Sequence, residues 1–233
     1  MQTSYDDFRA AADRVLSRIA EACLRSARNK QDVSLLAVTK THPVAAVHYA
    51  ARFGLKSVGE NRVQEACGKI PLGPPGMRWE LIGHLQSNKV RLAVQWLDRI
   101  QSVDSEKLIL ALQKESSAIG KTLPILLQVN AGNDPAKFGV DPQDAPRLLE
   151  CARMQPNLQV DGLMTIAPLS EDPDTARRTF STLRELRDAL RIQFGLPLAE
   201  LSMGMSSDMD IAIAEGSTQV RVGSALFGAR ESS

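Results

Sequence analysis

Lys40 ends the apolar run in "LLAVTK" and is followed at once by the turn residues Thr41, His42 and Pro43. Side chains alternate along a strand, so Leu36, Val38 and Lys40 share one side. If that side faces a closed interior, the Lys40 amine stands at its mouth. Partial desolvation favours a neutral amine, which Schiff-base formation with an aldehyde requires. The competing reading is a strand-end lysine that reaches back to water. Spacing alone leaves both open.

Arg221 bears on that choice. In "QVRVG" it stands between Val220 and Val222. With the valines turned to covering helices, Arg221 and Gln219 face inward. A buried charge requires an anion or a hydrogen-bond acceptor. A ligand could supply it, or Glu60 in an internal ion pair.

The third element is an anion site. "MGMSSDMDIAIAEG" reads as a glycine-bearing turn, then Ser206 or Ser207 capping a helix. The next run ends "VGSALFG", where Gly223 and Ser224 offer backbone N–H groups. Helix N-termini favour anions, although plain capping explains the serines equally well. Asp208 and Asp210 lie nearby and are expected to be first-turn acids that point away. Asn61, in "GENRVQEA", sits where it could reach a ligand ring. His84 has no second histidine near it for a metal and reads as a hydrogen-bonded wall residue. Lys137, in "AKFG", reads as a solvated loop lysine within reach of the same mouth.

These residues need a frame that brings them together. Eight short apolar runs occur, at "VSLLAV", "KSVG", "WELIG", "LDRIQSV", "LPILLQVN", "LQVDGLMT", "AELSMG" and "TQVRVG". Helical segments separate them. The clearest has Asp172 as N-cap and Pro173 at its first position, with Ala176, Phe180, Leu183, Leu186 and Leu190 at helical spacing. Gly195 and Pro197 close it. Another opens at Asp104 and Ser105. Strands alternating with helices predict parallel βαβ units, and eight of them predict a closed (β/α)8 barrel, the TIM barrel, typically of about 250 residues. The tail "SALFGARESS" is too short for an eighth helix. An N-terminal helix carrying Tyr5, Phe8, Ala12, Val15, Ile19 and Cys23 on one stripe is expected to cover that gap. An open doubly wound sheet is the runner-up, but no G-x-G-x-x-G follows the first run. In a barrel, strand C-terminal ends converge on one face, where active sites are built. Phosphate sites there often use the loops after strands seven and eight. Lys40, Asn61, His84, Ser102, Asn130, Thr165, Ser206, Ser207, Arg221 and Gly223 all fall at such ends.

The 233 residues, 43% hydrophobic and 24% charged, are expected to form one domain over 1–233. A net charge of +1 gives no global field for nucleic acid or an anionic membrane. Three scattered cysteines suit a reducing compartment rather than disulfides or zinc. No signal peptide or run of about 20 apolar residues is found. A cytoplasmic location is the expectation.

A lysine amine, an inward arginine and a phosphate cradle together point to pyridoxal 5′-phosphate. The motifs "AVTKTHPV", "VGENRVQEA", "WELIGHLQSNK", "QSVDS", "LLQVN", "GLMTIAP" and "LSMGMSSDMDIAIAEGSTQVRVGSALFGAR" run in order from about Val33 to Arg230. In them the chain resembles the pyridoxal phosphate homeostasis proteins. The resemblance implies an alanine-racemase-like barrel without the racemase's second domain, and a monomer. It places the cofactor aldimine on Lys40 and the phosphate on Ser206, Gly223 and Ser224, with Ser207 beside them. Arg221 would face the pyridine nitrogen and Asn61 would lie beside the ring. Many relatives carry an acid at Ser207, which sets that residue's role apart. The implied function is intracellular pyridoxal phosphate homeostasis by a non-catalytic carrier or buffer, with pyridoxal-phosphate-dependent apoenzymes as recipients. Two other readings stay open: a racemase using the same cofactor, and a class I aldolase-type barrel in which Lys40 binds substrate directly.

Overall fold

In a computed structural model, which describes residues 4–228, the chain forms a closed parallel barrel of eight strands. The strands are β1 (Ser34–Val38), β2 (Ser57–Glu60), β3 (Arg78–Leu81), β4 (Arg99–Val103), β5 (Leu123–Gln128), β6 (Leu158–Met164), β7 (Glu200–Ser202) and β8 (Gln219–Val222). They pair in sequence order, and β1 pairs β8 from Ser34↔Gln219 to Ala37↔Val222, which closes the ring. The helices are α1 (Tyr5–Arg25), α2 (Ala45–Phe53), α3 (Val63–Lys69), α4 (Val90–Trp96), α5 (Glu106–Ala118), α6 (Ala145–Arg153), α7 (Pro173–Phe194), α8 (Met209–Ala214) and α9 (Ser224–Phe227). All eight apolar runs become strands. The motif residues Ala229 and Arg230 lie outside the described residues.

Helix boundaries follow their local chemistry. The Asp172 side chain accepts the Asp174 N–H, and Pro173 fills the first turn of α7 where its missing donor costs nothing. Gly195, at φ 64°, ends that helix in the left-handed region. Ser105 caps α5 through the Leu108 N–H. Ser4 and Asp7 form a reciprocal capping box at α1.

α1 takes the place of an eighth helix, because α9 has only four residues. Its stripe of Phe8, Ala12, Val15, Ile19 and Cys23 is buried. Phe8 stacks on Phe227 of α9 at 5.1 Å and meets Phe53 of α2 edge-on at 5.9 Å. One fully buried ring therefore joins the first helix to both sides of the seam. Phe8→Ala is expected to cost about 3–5 kcal/mol, the usual range for a buried Phe. Urea unfolding followed by far-UV circular dichroism measures it.

The barrel interior is split. Leu36, Val38 and Ile82 form a small apolar cluster separate from the large one between sheet and helices. Below it the lumen is polar. Gln101 donates to Glu80 at 2.6 Å and to Gln219 at 2.7 Å, and accepts from Ser202 at 2.6 Å. Arg99 donates to Glu80 at 2.9 Å. Each buried polar group here is worth keeping only because it is paired. The chain of bonds ends at Arg221, which donates to Ser202 at 2.8 Å.

Candidate cofactor site

The alternation of β1 puts Leu36 and Val38 inside the barrel, as expected. The strand stops at Val38, however, so Lys40 lies two residues beyond it on a turn. The turn is closed by the His42 N–H donating to the Thr39 carbonyl at 3.1 Å. Lys40 is half-buried and lines a cavity of about 590 Å³ at the C-terminal ends of the strands. The lining also holds Asn61, Ser206, Ser207, Arg221, Gly223 and Ser224, so all seven residues picked from the sequence meet in one space.

Arg221 does face inward and is 3% exposed. Its Nη1 donates to Ser202 Oγ and its Nη2 to the Thr165 carbonyl at 2.7 Å. Burial pulls its guanidinium down to about 10, while the Asp208 charge opposes the shift, so it stays cationic at neutral pH. The expected alternative, an ion pair with Glu60, is not formed. Glu60 points outward from the sheet, where Lys69 and Thr39 donate to it.

The serines do not cap α8. Its N-cap is Asp208, with no side-chain capping bond. Instead the Ser224 hydroxyl donates to Ser206 Oγ at 3.2 Å, joining the loops after β7 and β8. Ser207 is the more exposed neighbour. The two acids divide. Asp210 points away, as expected, and pairs with Arg18 of α1 at 2.9 Å. Asp208 turns back to accept the Met205 N–H at 2.6 Å, and burial pushes its carboxyl up. Arg18 also donates to the Ser206 carbonyl at 2.8 Å, so α1 fastens this loop from outside.

Asn61 is positioned by close backbone approach: a Cβ on Gly83 would overlap the Asn61 carbonyl, so only glycine fits there. Opposite, His84 stacks on Phe138 at 4.0 Å, with its Nδ1 3.5 Å from Asp104 Oδ2. Lys137 is half-buried at the same rim rather than fully solvated. Ile82, Ile166, Met205 and Phe138 supply apolar walls that sequence reasoning did not select. Ile82 and Met205 do stand beside selected motif residues, which is the signal that could have found them.

The set is chemically coherent. An amine for an aldehyde, a buried cation, a hydroxyl pair for an anion and apolar walls for a planar ring share one cavity, within the size range of cofactor sites. These features fit pyridoxal phosphate.

The sequence profile of the alanine racemase N-terminal domain matches residues 16–231. The pyridoxal phosphate homeostasis protein of Aquifex aeolicus is 41% identical over 219 residues, covering 94% of this chain and 96% of that one. The chain belongs to the pyridoxal phosphate homeostasis protein family. Among solved relatives, PipY of Synechococcus elongatus PCC7942, with pyridoxal phosphate bound, is 41% identical and superposes with a TM-score of 0.81. The alignment covers 92% of this chain and all of PipY, 100%. Alanine racemase of Clostridium difficile shares the fold, with a TM-score of 0.79 at 13% identity, and this chain covers 58% of it. The family's barrel is thus alanine-racemase-like.

Proposed function

We propose that the chain binds pyridoxal 5′-phosphate and serves its homeostasis in the cell as a carrier or buffer, without turning over an amino acid. The observation that carries this reading is the meeting of Lys40, Arg221 and the Ser206–Ser224 pair in one cavity. Full-length similarity to PipY supports it. Bound there, the cofactor supplies an aldehyde and an electron-withdrawing ring. Lys40 holds the aldehyde. Ser206, Ser224 and Gly223, with Ser207 at the edge, hold the phosphate. Arg221 faces the pyridine nitrogen, and Asn61 lies beside the ring. The unit acts as a monomeric single domain over 1–233 in the cytoplasm, with apoenzymes as recipients. Three unpaired cysteines support a reducing location. Among the described residues no helix is long and apolar enough to cross a membrane.

Proton accounting supports the absence of turnover. Racemisation needs a base on each face of the substrate carbon. Lys40 serves one face. Tyr5 and Tyr49 pack against each other outside the barrel at 5.8 Å. His42 and His84 line the cavity, with their rings packed against Phe227 at 5.0 Å and Phe138 at 4.0 Å. Arg221 donates hydrogen bonds but keeps its protons, so a ring nitrogen facing it stays unprotonated and the ring is a weaker electron sink. The test has two parts. Purified chain titrated with pyridoxal phosphate is expected to gain a near-UV or visible band. Alanine, serine and glutamate incubated with the loaded protein in deuterated water are expected to keep their chirality and mass. Turnover near about 1 per second, within the ordinary enzyme range, would mean a racemase. A missing band would favour the aldolase-type reading.

A further inference from the structure

Behind the cavity lies a charged cluster that the reading above leaves without a role. Lys69, at the end of α3, is 8% exposed, and Glu60 is fully buried. The Lys69 ammonium donates to the Thr39 carbonyl at 2.8 Å, to Glu60 Oε1 at 2.8 Å and to Glu65 Oε1 at 2.7 Å. An ammonium has three donors, and all three are used. Glu65 Oε1 also accepts the Thr41 N–H at 2.5 Å, and the Thr39 hydroxyl donates to Glu60 Oε1 at 2.6 Å. The peptide groups on both sides of Lys40 are therefore bonded to a single ionic triad.

That turn needs holding. Thr41 sits at φ 65°, in the left-handed region. For a β-branched residue this conformation is a rare outlier that persists only where surroundings enforce it. The triad is also expensive. Among the described residues Glu60 Oε2 has no hydrogen-bond partner, and burial pushes the carboxyl up against the opposing pull of Lys69. Buried ion clusters seldom add stability over apolar replacements of similar size.

We propose that Lys69 is a positioning residue for Lys40: with Glu60 and Glu65 it holds closed the strained turn whose corner carries the amine. The inference rests on the reading that Lys40 is the reactive amine, and the test separates the two. In the ligand-free chain, the rate of reductive methylation at each lysine is followed by peptide mass spectrometry across pH, using formaldehyde and cyanoborohydride. The variant is Lys69→Met with Glu60→Gln, which removes both buried charges together. Its Lys40 rate is expected to fall about tenfold or more, as misplacement of a reacting group does. Lys137 in the same sample is expected to be unchanged. Adding Thr41→Gly is expected to restore most of the rate, because glycine adopts the left-handed turn without strain. An unchanged Lys40 rate in the double variant overturns the inference, and so does a loss that Thr41→Gly leaves in place. If the double variant does not fold, Glu65→Ala at a half-buried position carries the same readings. A separate arm traps pyridoxal phosphate on the wild-type chain with borohydride. Failure to label Lys40 there overturns the reading of Lys40 as cofactor site, whatever the methylation rates show.

Discussion

Lys40→Ala is expected to abolish covalent attachment of pyridoxal phosphate while leaving the barrel folded. Lys40 lines the cavity rather than the core, and bonds that hold its turn come from Thr39, Thr41 and His42 backbone groups. Removing the amine thus removes the nucleophile while those backbone bonds stay in place. Wild-type protein loaded with cofactor and reduced with borohydride should carry the added mass on the peptide containing Lys40. In the variant that peptide should be unlabelled and the visible band lost, with circular dichroism unchanged. Labelling mainly at Lys137, the other lysine on the cavity wall, would sink the assignment.

Pyridoxal without its phosphate is expected to bind far more weakly than pyridoxal phosphate. Hydrogen bonds to a charged group contribute about 1.5–3 kcal/mol each. Two of them, from the Ser206 and Ser224 hydroxyls, correspond to about two to four orders of magnitude in Kd. Raised salt should weaken pyridoxal phosphate binding only modestly, since partly buried charges are little screened. Fluorescence or calorimetric titration with both aldehydes decides it. Comparable constants would refute the cradle.

The barrel was legible because each strand announces itself locally. A run such as "LPILLQ" is buried on both faces, and the helix after it repeats at 3.6 residues, so neither needs knowledge of distant partners. Arg221 was legible for the same reason: two flanking valines fix which way it points. The serine cap failed because no side chain caps α8: Asp208, at the N-cap position, turns its carboxylate back to the Met205 N–H, a contact that spacing does not encode. The strand end at Val38 rather than Lys40 reflects ladder geometry with β2 and β8, not residue type. Lys69 was invisible for a deeper reason. In sequence it is one more cation near the end of a short helix, indistinguishable from a solvated one. Its burial comes from Thr39 and Glu60, residues brought to it by the closing sheet.

The pairing of β1 with β8 also sets when the protein becomes competent. The two strands are among the first and last made, and Lys40 stands on one side of the junction while Arg221, Gly223 and Ser224 stand on the other. A chain leaving the ribosome can hold seven strands and every helix up to α8 and still lack Arg221, Gly223 and Ser224. Contacts so distant in sequence form late, after the entropy of bringing the ends together has been met. The cavity is therefore complete only once the last strand has closed the barrel. A fragment ending before Gln219 keeps Lys40 and Ser206 but lacks Arg221, Gly223 and Ser224, so a truncated or stalled product is expected to compete poorly for the cofactor with complete copies.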